Sequence, residues 1–225
     1  CLTACVSPKG VLVVLSGRMV ANPLGSSFFS HDSDAHPGLT KRMLDNWATT
    51  IATGAPLEHY SYPKNRSNYI GIPVAREFKP FSNAQQRQAR EALGVDLNRP
   101  LVVVTGGGLG AQRINNAVVE CLDKLLVITS VILVSGSGQY DDLAALTPNY
   151  RSEDFQLHAV VSKDMYSMLG AADIVITRAG ATTILELAAL AKPTILIPNG
   201  YLTGGHQLKN AAVYEEKHAV VVIDE

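Results

Sequence analysis

Four short stretches of the 225-residue sequence combine residue types that can do chemistry. The first is Gly106-Gly107-Gly108-Leu109-Gly110, which follows the β-branched run Leu101–Thr105 and precedes Ala111. A strand ending in glycines lets main-chain N–H groups approach a phosphate closely, and a following helix adds its positive N-terminal end. An ordinary strand-to-helix turn tolerates the same glycines. The spacing is not GxGxxG, no acidic residue closes the next strand Val131–Ser135, and the GK[ST] ending of a P-loop is absent. Nicotinamide dinucleotides and P-loop ATP chemistry therefore both lose support. The second stretch runs from Arg178 through Ala179, Gly180, Ala181, Thr182 and Thr183 to Glu186. Gly180 permits a tight turn, and Thr182 or Thr183 can cap a helix whose open N–H groups favour negative charge. Glu186 then falls on the first turns, where an acceptor-only carboxylate can take both hydroxyls of a ribose diol. A glutamate there also suits the helix dipole, at about 0.3–1 kcal/mol.

The third stretch is Gly204, Gly205, His206, Gln207 and Asn210, at the start of another helical segment. Alone, His206 reads as an exposed loop histidine, but two anion-friendly turns at the same sheet edge make it a ligand contact. The fourth is Ser30-His-Asp-Ser-Asp-Ala-His-Pro-Gly38. Its histidines and carboxylates could bind metal or move protons, although the pattern falls short of a calcium loop. Helix capping by Ser33 or Asp34 explains part of it.

The elements that must position these groups are short apolar runs alternating with helical stretches, the signature of parallel βαβ units. Strands are predicted at Val11–Leu15, Thr50–Thr53, Asn68–Ile70, Leu101–Thr105, Val131–Ser135, Phe155–His158, Ile174–Thr177, Thr194–Ile197 and Ala219–Ile223. Helices are predicted at Pro37–Trp47, Asn83–Leu93, Gln112–Leu125, Lys163–Ala171, Thr182–Leu190 and Gly205–Glu216. The prolines at 56, 63, 73 and 80 interrupt this order and put a domain boundary near Pro73 to Pro80. From Asn98 onward the order is that of a doubly wound domain, whose ligands gather at the carboxyl ends of the strands.

Composition narrows the classes further. With 47% hydrophobic and 17% charged residues the chain can bury a core, and 19 basic against 20 acidic residues give no footprint for nucleic acid. Cys1, Cys5 and Cys121 form neither a zinc pattern nor a disulfide framework, which fits a reducing cytoplasm. No run approaches the ~20 apolar residues of a membrane-spanning helix. A start at Cys1 and an end directly after a strand-like run suggest a piece of a longer chain.

Taken in order, HDSDAHPGLT at 31–40, GGGLGAQRINNAV at 106–118, RAGATTILELAALAKPTILIP at 178–198 and GGHQLKNA at 204–211 closely resemble the MurG family. These are cytoplasmic transferases that move N-acetylglucosamine from UDP-N-acetylglucosamine to the lipid-linked MurNAc-pentapeptide precursor of peptidoglycan. The resemblance implies an α/β fold of GT-B type with two Rossmann-like domains. Residues 1–75 would be the later part of the acceptor-side domain, and residues 76–225 the UDP-sugar domain, short of its last helices. It implies ribose binding by Glu186 and diphosphate binding by Ala179, Gly180, Ala181, Thr182 and Thr183, with Arg178, Gly107 and Gly108 beside them. Gly108 stands where the family has serine, leaving main chain alone for that contact. His206 and Gln207 would face the donor sugar. His31 and Asp34 would be the catalytic pair near the acceptor, with aspartate in place of the usual asparagine. Arg76 would be the linker arginine, although Gly71–Arg76 carries one extra residue. The implied reaction is inverting and needs no metal or cofactor, because helix N-termini stabilise the leaving diphosphate. The implied partners are the two substrates and the cytoplasmic face of the membrane, with no nucleic acid. The family's first glycine loop, which carries the histidine often proposed as general base, has no counterpart before residue 31. That leaves two other readings: a nucleotide-sugar module without turnover, or another GT-B enzyme such as an epimerase or a different lipid glycosyltransferase.

Overall fold

The computed structural model describes residues 29–33, 47–106, 111–147, 150–161, 164–201 and 205–225. The expected strand Val11–Leu15, Asp34, most of the expected helix Pro37–Trp47, Gly107 and Gly108 lie outside them.

Two parallel sheets organise the chain. The first has strands β1 (Phe29–Asp32), β2 (Thr50–Thr53) and β3 (Ser67–Tyr69) in that order. The second has β4 (Leu101–Thr105), β5 (Ser130–Val134), β6 (Phe155–His158), β7 (Ile174–Thr177), β8 (Thr194–Leu196) and β9 (Val221–Val222). Its spatial order is β6-β5-β4-β7-β8-β9, the 3-2-1-4-5-6 arrangement of a doubly wound fold. The strand order reverses between β4 and β7, so the crevice outside their carboxyl ends is where such a fold binds ligands. Gly106 follows β4 and Arg178 follows β7.

Among the described residues seven α-helices accompany the strands: α1 (Asn83–Leu93), α2 (Gln112–Glu120), α3 (Leu122–Ile128), α4 (Tyr140–Leu146), α5 (Met165–Ala171), α6 (Ala181–Ala189) and α7 (His206–Glu215). The expected helix 112–125 is two helices broken at Cys121, α4 was not expected, and β1 takes the first half of the His31 stretch into a strand.

Alternation along the strands divides the core in two. Leu101, Val103, Ile132, Val134 and Val175 meet Met168 and Leu169 of α5 and Leu187 of α6 on one face. Val102, Val104, Val131 and Leu133 meet Ile114, Val118, Leu122 and Leu143 on the other. Each such Val, Leu or Ile contributes about 1.5–3 kcal/mol by leaving water, which fixes the sheet as a rigid platform.

The amino edge of that platform is closed by charge. Gln86 donates to the carbonyls of Ala171 and Ala172, both at 3.1 Å, and Arg90 Nε donates to Ala171 O at 3.0 Å. Lys192 Nζ donates to Gly170 O and Ala172 O, both at 2.7 Å. These donors meet the open carbonyls at the C-terminal end of α5, where positive charge is favoured. Burial lowers the Lys192 pKa; Asp173 opposes that shift and Arg90 adds to it. Arg90 also pairs with Asp173, which accepts from the Leu101 N–H at 2.7 Å and so anchors the start of β4.

Candidate functional site

The carboxyl edge is built differently. Helix α1, away from it, has a full capping box in which Ser82 and Gln85 satisfy each other's backbone N–H groups. At the carboxyl edge, α2 starts after Ala111, α6 after Gly180 and α7 after Gly205, and none of these three residues makes a side-chain cap hydrogen bond. Thr182 and Thr183 lie inside α6 instead of capping it, so the N–H groups of its first turn remain available to an anion. Gly180 has φ −71°, which any residue adopts, and a Cβ there would meet only Thr183 Oγ1 at 3.7 Å. Its lack of a side chain keeps the approach to the helix clear.

Glu186 stands on the second turn of α6, half-buried, and its carboxylate makes no hydrogen bond or ion pair among the described residues. Burial pushes its pKa up. The carboxylate is thus partly desolvated and open to donors from outside the protein.

The other expected residues divide into those at this edge and those elsewhere. Ala179 is fully buried, and its carbonyl accepts from Asn210 Nδ2 of α7 at 3.2 Å. Gln207 accepts the Asn199 N–H at 2.9 Å, tying α7 to the loop after β8. His206 opens α7 beside it, partly buried. Arg178 is buried, donating to Ile197 O at 3.0 Å and pairing with Glu225 at 2.5 Å. Glu225 also lies 3.9 Å from Arg113 of α2, so one carboxylate joins two cations beside the Gly106 turn. Arg178 thus braces the ends of β7, β8 and β9. Arg76 is exposed in the segment between the sheets. His31 is on β1 and donates from Nε2 to Gly71 O at 2.9 Å, with Ser33 Oγ 3.5 Å from Nδ1. Among the described residues no three His, Cys, Asp or Glu side chains gather into a metal site, and no helix is long and apolar enough to cross a membrane.

Two cavities flank the crevice. One, of about 570 Å³, is lined by Thr105 at the end of β4, Ser135 and Gln139 after β5, Val160 and Val161 after β6, and Met165 of α5. The other, of about 260 Å³, lies between the sheets, with Ser33, Gly54 and Tyr69 facing Ala181, Ile184 and Tyr214. Burial raises the Tyr214 phenol pKa, and Tyr69 adds to the shift.

Sequence reasoning missed both residues of an amide pair beside the 570 Å³ cavity. Asn115 of α2 is fully buried and donates from Nδ2 to Ser135 O at 2.9 Å and to Gln139 Oε1 at 2.8 Å. Its own Oδ1 is buried with no hydrogen bond, which costs about 1–3 kcal/mol. Gln139 carries no sequence signal, because only the fold brings residue 139 to residue 115.

The sequence model of the glycosyltransferase family 28 C-terminal domain matches residues 101–225. The chain belongs to glycosyltransferase family 28. The match covers the whole six-stranded sheet with its carboxyl edge. Over 225 aligned residues the chain is 35% identical to the UDP-N-acetylglucosamine--N-acetylmuramyl-(pentapeptide) pyrophosphoryl-undecaprenol N-acetylglucosamine transferase of Exiguobacterium sp., covering 96% of this chain and 62% of that protein. It is 34% identical to the enzyme of the same name from Acetivibrio thermocellus, covering 86% of this chain and 52% of that one. The chain thus spans a little over half the length of the curated relatives it matches. Among solved structures, Acinetobacter baumannii MurG superposes with a TM-score of 0.65 at 23% identity, covering 92% of this chain and 56% of that one. The calicheamicin glycosyltransferase CalG4 superposes with a TM-score of 0.62 at 12% identity, covering 95% and 59%. The fold of this family 28 chain is that of the GT-B glycosyltransferases, with parallel sheets in two Rossmann-like units.

Proposed function

We propose that the protein transfers N-acetylglucosamine from UDP-N-acetylglucosamine, with inversion, to a lipid-linked MurNAc-pentapeptide acceptor at the cytoplasmic face of the membrane. One observation carries the reading. The helices that open at the switch point and beside it lack side-chain caps, and the first of those after β7 carries the partnerless carboxylate of Glu186. A diphosphate satisfies the first feature and a ribose diol the second. The acceptor hydroxyl oxygen forms the new bond to the anomeric carbon as the bond from that carbon to the UDP oxygen breaks. UDP keeps the electron pair, and the hydroxyl proton leaves to a base or to water. Each helix N-terminus stabilises the departing charge by up to ~2 kcal/mol in a sheltered site, which supplies the role a metal would otherwise take.

In this reading Ala179, Gly180, Ala181, Thr182 and Thr183, with Gly107 and Gly108, cradle the diphosphate. His206 and Gln207 face the donor sugar, and Arg178 holds the edge in shape. His31 and Asp34 serve the acceptor side, and Arg76 the linker. The engagement of His31 by Gly71 O favours a second reading, nucleotide-sugar binding without turnover. Calorimetry with UDP, alone and with a chelator, run beside a sugar-transfer assay, separates these. Binding that survives chelation together with transfer supports the proposal, and binding without transfer supports the second reading. Loss of binding on chelation, restored by magnesium, overturns the metal-free site.

A further inference from the structure

The amide pair behind the 570 Å³ cavity has a definite orientation that the main chain dictates. Ser135 O is a carbonyl and can only accept, so the side-chain nitrogen of Asn115 must face it. The same nitrogen has a second hydrogen, and it points at the Gln139 amide, which must therefore turn its oxygen toward Asn115. The NH2 group of Gln139 is left on the other side, with no hydrogen bond among the described residues, in a residue that lines the cavity. Ser135 carries the coupling onward. Its N–H donates to His158 O at 2.9 Å, so the loop after β5 is tied to the end of β6, which leads into Val160 and Val161 on the cavity wall. Burial lowers the His158 pKa.

We propose that Gln139 is a specificity residue of the nucleotide site: Asn115 holds its side-chain amide so that the NH2 group donates to the C4 carbonyl oxygen of the bound base. Asn115 is then a positioning residue acting through Gln139. A uracil offers carbonyl acceptors at both C2 and C4, whereas cytosine replaces the C4 carbonyl with an amino donor. Because the C2 carbonyl is common to both bases, it is a donor aimed at C4 that selects for the former. This inference rests on the nucleoside-diphosphate reading of the crevice.

The test uses the full chain and UDP, with CDP as the comparison ligand. Gln139→Glu keeps an oxygen facing Asn115, so the buried contact survives, but it puts an oxygen where the NH2 group was. The expected result is an unchanged melting temperature with UDP affinity down at least tenfold and the UDP-over-CDP preference reduced. Gln139→Met, which has neither group, should lose a similar share of UDP affinity. Asn115→Ala should weaken UDP binding in the wild-type background and add nothing in the Gln139→Met background. Unchanged UDP affinity in both Gln139 variants overturns the proposal, as does a fully additive Asn115→Ala effect. If Asn115→Ala does not fold, the two Gln139 variants alone decide. Failure of the wild-type chain to bind UDP at all would sink the functional reading instead, and the two failures are distinguishable by that first titration.

Discussion

Glu186 is where the chemistry of a single side chain has the widest consequences. Its carboxylate is partly desolvated in the free protein, so its folded pKa lies above the ordinary 4.5. A folded-state pKa above the unfolded value means the folded chain holds more protons in the window between them. Stability is therefore full below the unfolded pKa and falls as pH rises through the folded one. Gln at this position removes that loss, so Glu186→Gln should melt slightly higher than wild type at neutral pH and no higher at pH 3, measured by thermal denaturation at both. The same change should cost UDP binding about 1–3 kcal/mol, because a charged acceptor to the ribose is gone. Wild-type UDP affinity should likewise decline on acidification from a higher pH than an ordinary glutamate would give, read by calorimetry across the range. An unchanged affinity in the variant would remove Glu186 from the site. The position of Glu186 was legible because the strand Ile174–Thr177 and the helical period after it set its turn without reference to the rest of the chain. The Asn115–Gln139 contact was not, since it depends on how α2 packs across the loop after β5.

At the scale of elements, the second sheet separates a braced edge from an open one. At the amino edge Gln86, Arg90 and Lys192 all donate to carbonyls at the end of α5, and the aromatic segment before α1 completes that bracing. Phe81 stands edge-on to Tyr166, with centroids 5.0 Å apart, and Phe78 does the same at 5.5 Å. A Cβ at Gly170 would lie 2.3–2.6 Å from three atoms of the Phe81 ring, so glycine is what lets this aromatic sit on α5. Gly170→Ala is expected to destabilise the chain by about 1–3 kcal/mol through overpacking, with a lower denaturant midpoint, and Phe81→Leu in the same chain should recover part of it. UDP affinity should stay near wild type in both, because the strain lies at the edge opposite the site. Strands buried on both faces were readable directly, as consecutive apolar residues at Leu101–Thr105 show. Weaker elements were not. In β1, Phe29-Ser-His-Asp has no apolar run, and pairing with β2 alone makes it a strand. Helix α4 buries only Leu143, too little to produce a helical period. The break at Cys121 lies inside an unbroken apolar pattern, and its N–H reaches back to both Ala117 O and Val119 O.

Across the whole molecule, the segment from Gly71 to Phe81 decides how the two sheets are coupled. Its far end is anchored to the second sheet through Phe78, Phe81 and α1, and its near end to the first through His31 and Gly71 O. Gly71 has φ 76°, a left-handed conformation that suits glycine and strains other residues. The 570 Å³ cavity and the starts of α2, α6 and α7 draw only on residues beyond 100, whereas the smaller cavity needs both sheets. The proposed function would put donor binding and acceptor access in different parts of the chain, with the boundary proposed at residues 75 and 76. A chain of residues 76–225 keeps both phenylalanines and the whole charge network of the amino edge. It is expected to fold, by circular dichroism and cooperative melting, and to bind UDP within about threefold of the 225-residue chain, since a threefold change is under ~0.7 kcal/mol. Loss of more than tenfold in affinity with the fold intact would mean that the first sheet contributes to the nucleotide site. In that case the cavity between the sheets, with Tyr69 facing Tyr214, would have to be counted as part of the donor pocket.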